Sequence, residues 1–69
     1  MNKEKIAENL RELRGSDSRE FVANTIGISV SALSMYENGD RIPRDEIKLK
    51  LAQFYGKSVG ELFFGDKVH

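Results

Sequence analysis

Ile6, Leu10 and Leu13 recur at i, i+4 and i+7, with Ala7 beside them and charges on the other side. That spacing predicts an amphipathic first helix over about residues 3–14. Arg14-Gly15-Ser16-Asp17-Ser18 then interrupts it; Gly15 suits a C-cap, and Asp17 or Ser18 can cap the next helix. Asp17 and Glu20 have the spacing of a capping box. The second helix is expected to run to about Ile26, burying Val22, Ala23 and Ile26, with Ala23 where two helices cross closest. Gly27 is the corner, where the backbone is expected to need a positive φ, unfavourable for any residue with a Cβ. Ile28 plugs the turn, Ser29 caps a third helix, and Asn38-Gly39 stops it.

Asp40-Arg41-Ile42-Pro43 reads as a loop, with Pro43 just before or at the start of a fourth helix. Asp45 and Glu46 in its first turn suit the helix dipole, and Ile47, Leu51, Phe54 and Tyr55 form its buried stripe, with Ala52 nearby. Ile47-Lys48-Leu49-Lys50-Leu51 alternates as a strand would. The acidic first turn, Ala52 and the helical neighbours favour helix, which leaves Leu49 partly exposed or at an interface. Gly56 ends this helix, and Ser58-Val59-Gly60-Glu61 opens a short fifth one with a capping box. The expected architecture is all-α: a compact five-helix domain over residues 1–64, followed by a flexible tail over 65–69.

Sixty-nine residues make one domain with a small core. The chain has no cysteine, which fits a reducing cytoplasm, and its one histidine, His69, reads as solvated tail. No apolar run approaches the roughly 20 residues of a membrane span. With no glycine-rich phosphate loop, no nucleophile–base pair and no ligand cluster, neither catalysis nor a cofactor or metal is expected. Eleven basic and eleven acidic residues cancel, an unusual balance for a nucleic-acid binder. Residues 1–44 carry seven of each, so the charge is not segregated along the chain, and weak non-specific binding to DNA is expected.

On a helical wheel of residues 29–38, Leu33 and Tyr36 fall together, with Ser29 between them and Ala32 flanking. The other side centres on Ser31, Ser34 and Asn38, edged by Val30 and Met35. One side anchored and one side free is the division a DNA-reading helix needs, and it also describes an ordinary helix with a solvated face. Two short helices meeting at a glycine, the second opened by a serine, have the grammar of a helix-turn-helix.

The chain resembles the Cro/repressor-type (XRE-type) helix-turn-helix family. The resemblance is carried by residues 6–14, Val22-Ala23, Ile26-Gly27-Ile28-Ser29, Leu33-Ser34 and Tyr36-Glu37-Asn38-Gly39. Arg41-Ile42-Pro43, Leu51-Ala52, Ser58 and Glu61-Leu62 extend it through most of the sequence. It implies a lambda-repressor-like DNA-binding domain with the helix-turn-helix at helices two and three. Helix three would lie in the major groove of an operator bound by a homodimer. By this resemblance Arg19, Ser29, Asn38, Arg41 and Arg44 contact phosphates, while Val30, Ser31, Ser34 and Met35 face base edges. Glu37 is expected to tie the end of helix three to the domain, and Tyr36 to be core.

Three features depart from the family pattern. The first loop is about two residues shorter, a change that a surface connection tolerates. Arg19 replaces the usual glutamine, and the reading face lacks Arg, Gln or Lys. Specificity would then rest on thymine methyls, DNA shape and paired half-sites. Of Phe63 and Phe64, a short helix buries one more readily than both; the other, with Leu49 and Val68, would form the patch that two copies share. Alternatively, both rings fold back into the core. If the chain is complete it should act by occupancy alone. The competing reading is a protein-binding helix-turn-helix module, such as an antitoxin or adaptor, governed by a protein partner and favoured by the neutral charge.

Overall fold

A computed structural model describes residues 2–65, which form five helices and, among the described residues, no strand. The helices are α1 (Lys3–Arg14), α2 (Arg19–Ile26), α3 (Val30–Glu37), α4 (Asp45–Tyr55) and α5 (Val59–Phe63). The tail after Gly65, with Val68 and His69, lies outside the described residues.

Four of the five helices, α4 excepted, begin where a side-chain oxygen accepts from an otherwise orphaned backbone N–H. Asn2 Oδ1 accepts from Lys5 N at 3.0 Å, Ser18 Oγ from Phe21 N at 3.0 Å, and Ser29 Oγ from Ala32 N at 3.0 Å. Ser58 and Glu61 close the expected capping box, with reciprocal bonds of 3.0 and 3.1 Å. The Asp17–Glu20 box does not form. Ser18 occupies the N-cap, so the position that would complete the box is Phe21, which has no carboxylate.

α3 packs against α1 and α2, α4 against α2 and α5, and α5 closes on α1. The core they enclose is Ile6, Leu10, Val22, Ala23, Leu33, Ile47, Leu51, Ala52, Leu62 and Phe63. Ala23 is fully buried, in keeping with a close crossing, and Ile28 packs on the core edge. Phe54 and Tyr55 are half-buried, each meeting the next aromatic edge-on: Phe21–Phe54 at 6.3 Å and Phe54–Tyr55 at 5.0 Å.

Residues 47–51 are helical despite their alternation. The buried positions of α4 are Ile47, Lys48, Leu51 and Ala52, a helical stripe that takes in a lysine and leaves Leu49 59% exposed. Lys48 fits because its aliphatic stem covers apolar surface while Nζ reaches Asp45 Oδ1 at 3.3 Å and the face of the Phe64 ring at 5.3 Å.

Candidate nucleic-acid interface

The corner between α2 and α3 is set by one backbone conformation. Gly27 adopts φ 81° and ψ 37°, and the amides of Gly27 and Ile28 both donate to Ala23 O at 2.9 Å. One carbonyl in the last turn of α2 thereby accepts twice as the chain turns into Ser29 and α3. At the far end of α3, the Asn38 amide donates to Ser34 O and that of Asp40 to Met35 O, both at 2.9 Å, around a left-handed Gly39.

Within α3 the anchored side is Leu33 and Glu37, both at zero exposure, with Tyr36 half-buried against the core. Val30, Ser31 and Asn38 are exposed; Ala32, Ser34 and Met35 are half-exposed. The four expected base readers therefore share a surface open to solvent. Ser29 is exposed, with its hydroxyl oxygen engaged by the cap. Arg41 and Arg44 are exposed on the loop into α4, and Arg44 caps that helix without a side-chain bond.

Glu37 is the one charged residue of α3, and its surroundings explain how it can be buried. Arg14 Nε donates to both of its carboxylate oxygens, at 3.0 and 2.8 Å. Arg19 Nε donates to Oε1 at 2.9 Å, and Arg11 Nη1 donates to the Glu37 backbone carbonyl. Arg14 also donates from Nη1 to Asp17 O at 2.7 Å. The hydrogen bond to Glu37 raises the Arg14 pKa above its ordinary value, against the opposing pull of burial. Glu37 thus ties α3 to α1 and α2, as expected. Arg19 is more constrained than a free surface cation, with Nη1 also 3.5 Å from Ser34 Oγ on the open side of α3.

Arg11 and Arg14 are the partners that sequence reasoning missed. The available signal was a lone glutamate in an otherwise uncharged helix, which needed cations from elsewhere.

At the other end of the domain Phe63 is 2% exposed and belongs to the core, whereas Phe64 is 51% exposed. One ring of the pair is buried and one is left out. From the expected shared patch, Leu49 and Phe64 remain on the surface, lining an open depression with Asp45, Lys48 and Val59.

A family model described as helix-turn-helix matches residues 8–62, and the chain belongs to that family. It is similar to the cryptic phage CTXphi transcriptional repressor RstR of Vibrio cholerae, with 38% identity over 59 residues. The alignment covers 83% of this chain and 53% of the repressor, so the chain spans about half the length of that curated relative. No solved structure matches. Among the described residues, no helix is long and apolar enough to cross a membrane.

Proposed function

We propose that this chain is a DNA-binding transcriptional regulator of the phage-repressor kind, acting in the cytoplasm by occupancy of an operator and without catalysis. The observation that carries the reading is the division of α3. Leu33 and Glu37 are sealed into the domain while Val30, Ser31 and Asn38 face solvent along a helix that follows a glycine corner. The similarity to a transcriptional repressor supports it.

In this reading α3 enters the major groove. Val30 and Met35 meet thymine methyls, and the Ser31 and Ser34 hydroxyls donate to or accept from base edges without strong discrimination. Arg19, Ser29, Asn38, Arg41 and Arg44 contact phosphates, which position the helix but carry no base information. With no bidentate arginine–guanine contact available from α3, selectivity comes from DNA shape and from two half-sites read together. The second copy would pack through Leu49 and Phe64.

The equal numbers of acidic and basic residues favour a second reading, a protein-binding module of antitoxin or adaptor type. Selection from a random duplex pool, followed by titration of the winner at two salt concentrations, separates the two. An enriched inverted repeat with half-sites about one helical turn apart and salt-sensitive affinity is expected of the regulator. Absence of enrichment, with weak binding even at low salt, would reject it in favour of the protein-binding module.

A further inference from the structure

Two guanidiniums share the Glu37 carboxylate, so the cluster carries one positive charge in excess, and the two arginines hold it unequally. Arg14 has Nε on both carboxylate oxygens and Nη1 on Asp17 O, and its side chain is 18% exposed. Arg19 has Nε on Oε1 and one contact to Ser34 Oγ, and its side chain is 33% exposed. The remaining N–H groups of Arg19 have no partner among the described residues. Nη1 lies beside Ser34, at the edge of the open side of α3, on a side chain that is itself partly exposed.

A free arginine must lose rotamer freedom when it grips a phosphate. Arg19 has surrendered most of that freedom already, because a buried acid on the reading helix itself holds its Nε. The planar fork makes the rest rigid: fixing Nε fixes the direction of both Nη groups.

We infer that Glu37 is a positioning residue for DNA binding, holding Arg19 as a preset clamp on the phosphate that flanks the base step beside Ser34. This rests on the DNA-binding reading of the same surface. Position and charge predict opposite signs at Glu37. Removing a negative charge should by itself tighten binding to a polyanion; releasing the clamp should weaken it.

The test is a double-mutant cycle on the duplex enriched from the random pool, with an unrelated duplex of equal length alongside. Glu37→Gln is expected to weaken binding roughly 3- to 10-fold with Arg19 present and not at all in an Arg19→Ala background. Equal weakening in both backgrounds, the result of a purely structural role through Arg14, would overturn the proposal; so would tighter binding by Glu37→Gln alone. Arg19→Lys is the second variant and leaves Glu37 and Arg14 paired. Its ammonium has three donors but no planar fork, so pairing with Glu37 leaves none of them held in a fixed direction toward the phosphate. Its loss should match that of Arg19→Ala within about twofold, with a salt slope flattened by roughly one unit. Affinity of Arg19→Lys equal to wild type would show that charge alone matters and overturn the clamp. A wild-type protein that binds neither duplex at low salt would instead overturn the DNA-binding reading, and the clamp with it.

Discussion

The phenol of Tyr55 has its oxygen shut away from solvent with no hydrogen-bond partner among the described residues, close to the Arg14–Glu37 pair. Burial pushes its pKa up to about 12; the charge of Glu37 adds to the rise and that of Arg14 opposes it. The native state therefore favours the neutral phenol more than the unfolded chain does, whose tyrosine titrates near 10. That contribution to stability is fully present below about pH 10 and is lost as pH climbs through about 12. Tyr55→Phe keeps the edge-on contact with Phe54 and removes the orphaned oxygen. Thermal melts should show the variant equal to wild type or more stable by up to about 1 kcal/mol at pH 8, with a shallower decline between pH 10 and 12. A variant that melts lower at pH 8 would mean that the hydroxyl is hydrogen-bonded in solution. Glu37 was expected, alongside the family resemblance, to tie the end of helix three to the domain, and its place as the one charge of α3 is in keeping with that. Its partners were not legible in the sequence: Arg14 reads as punctuation at the end of α1 and Arg19 as a phosphate contact, and only the fold closes the 23- and 18-residue separations between them and Glu37.

At the scale of elements, the α2–α3 corner depends on a residue that accepts φ 81°. A Cβ built on Gly27 would have as its nearest neighbour the Lys50 Nζ at 4.0 Å, the far end of a flexible side chain. Space is therefore available, and backbone conformation alone sets the cost. Gly27→Ala should destabilise by about 1–2 kcal/mol in denaturant unfolding, with little change in m-value. A loss within a few tenths of a kcal/mol would show that the corner relaxes to another geometry. All five helices were legible from apolar spacing, helped by serine caps at α2, α3 and α5 and by glycine stops after α1, α2 and α4. Two local readings were not decidable that way. Asp17 and Ser18 are both good caps, and only the geometry of the turn selects Ser18 and so dissolves the Asp17–Glu20 box. In α4 the residue that belongs to the buried stripe is Lys48 rather than Leu49, since a lysine stem can cover the surface while its ammonium finds Asp45 and the Phe64 ring. Sequence periodicity scores a lysine as polar and cannot register that.

For the whole molecule, the balance of charge and the size of the exposed patch together say how operator binding would have to work. With eleven cations set against eleven anions, the general attraction to DNA is expected to be weak, and in the proposed reading affinity comes from fitted contacts made twice. The domain has principal extents of 32 × 23 × 22 Å, so of the ways two copies can abut, only end-to-end pairing along the long axis brings their centres near the ~34 Å repeat of successive major grooves. The surface proposed to join them has two exposed apolar side chains, Leu49 and Phe64, beside the Lys48 ammonium. That is far smaller than a stable interface of ~1,200–2,000 Å², so pairing should be weak in free solution and become effective only when DNA holds both copies at high local concentration. Leu49→Glu tests this, because Leu49 is exposed enough for the fold to lose no more than about 0.5 kcal/mol, and two such glutamates would face each other across the two-fold axis. Titration of the full inverted repeat should be cooperative for wild type and lose its cooperativity in the variant, while affinity for a single half-site stays the same. An equal loss on the half-site would take Leu49 out of the contact between copies and place it instead in the support of the reading helix.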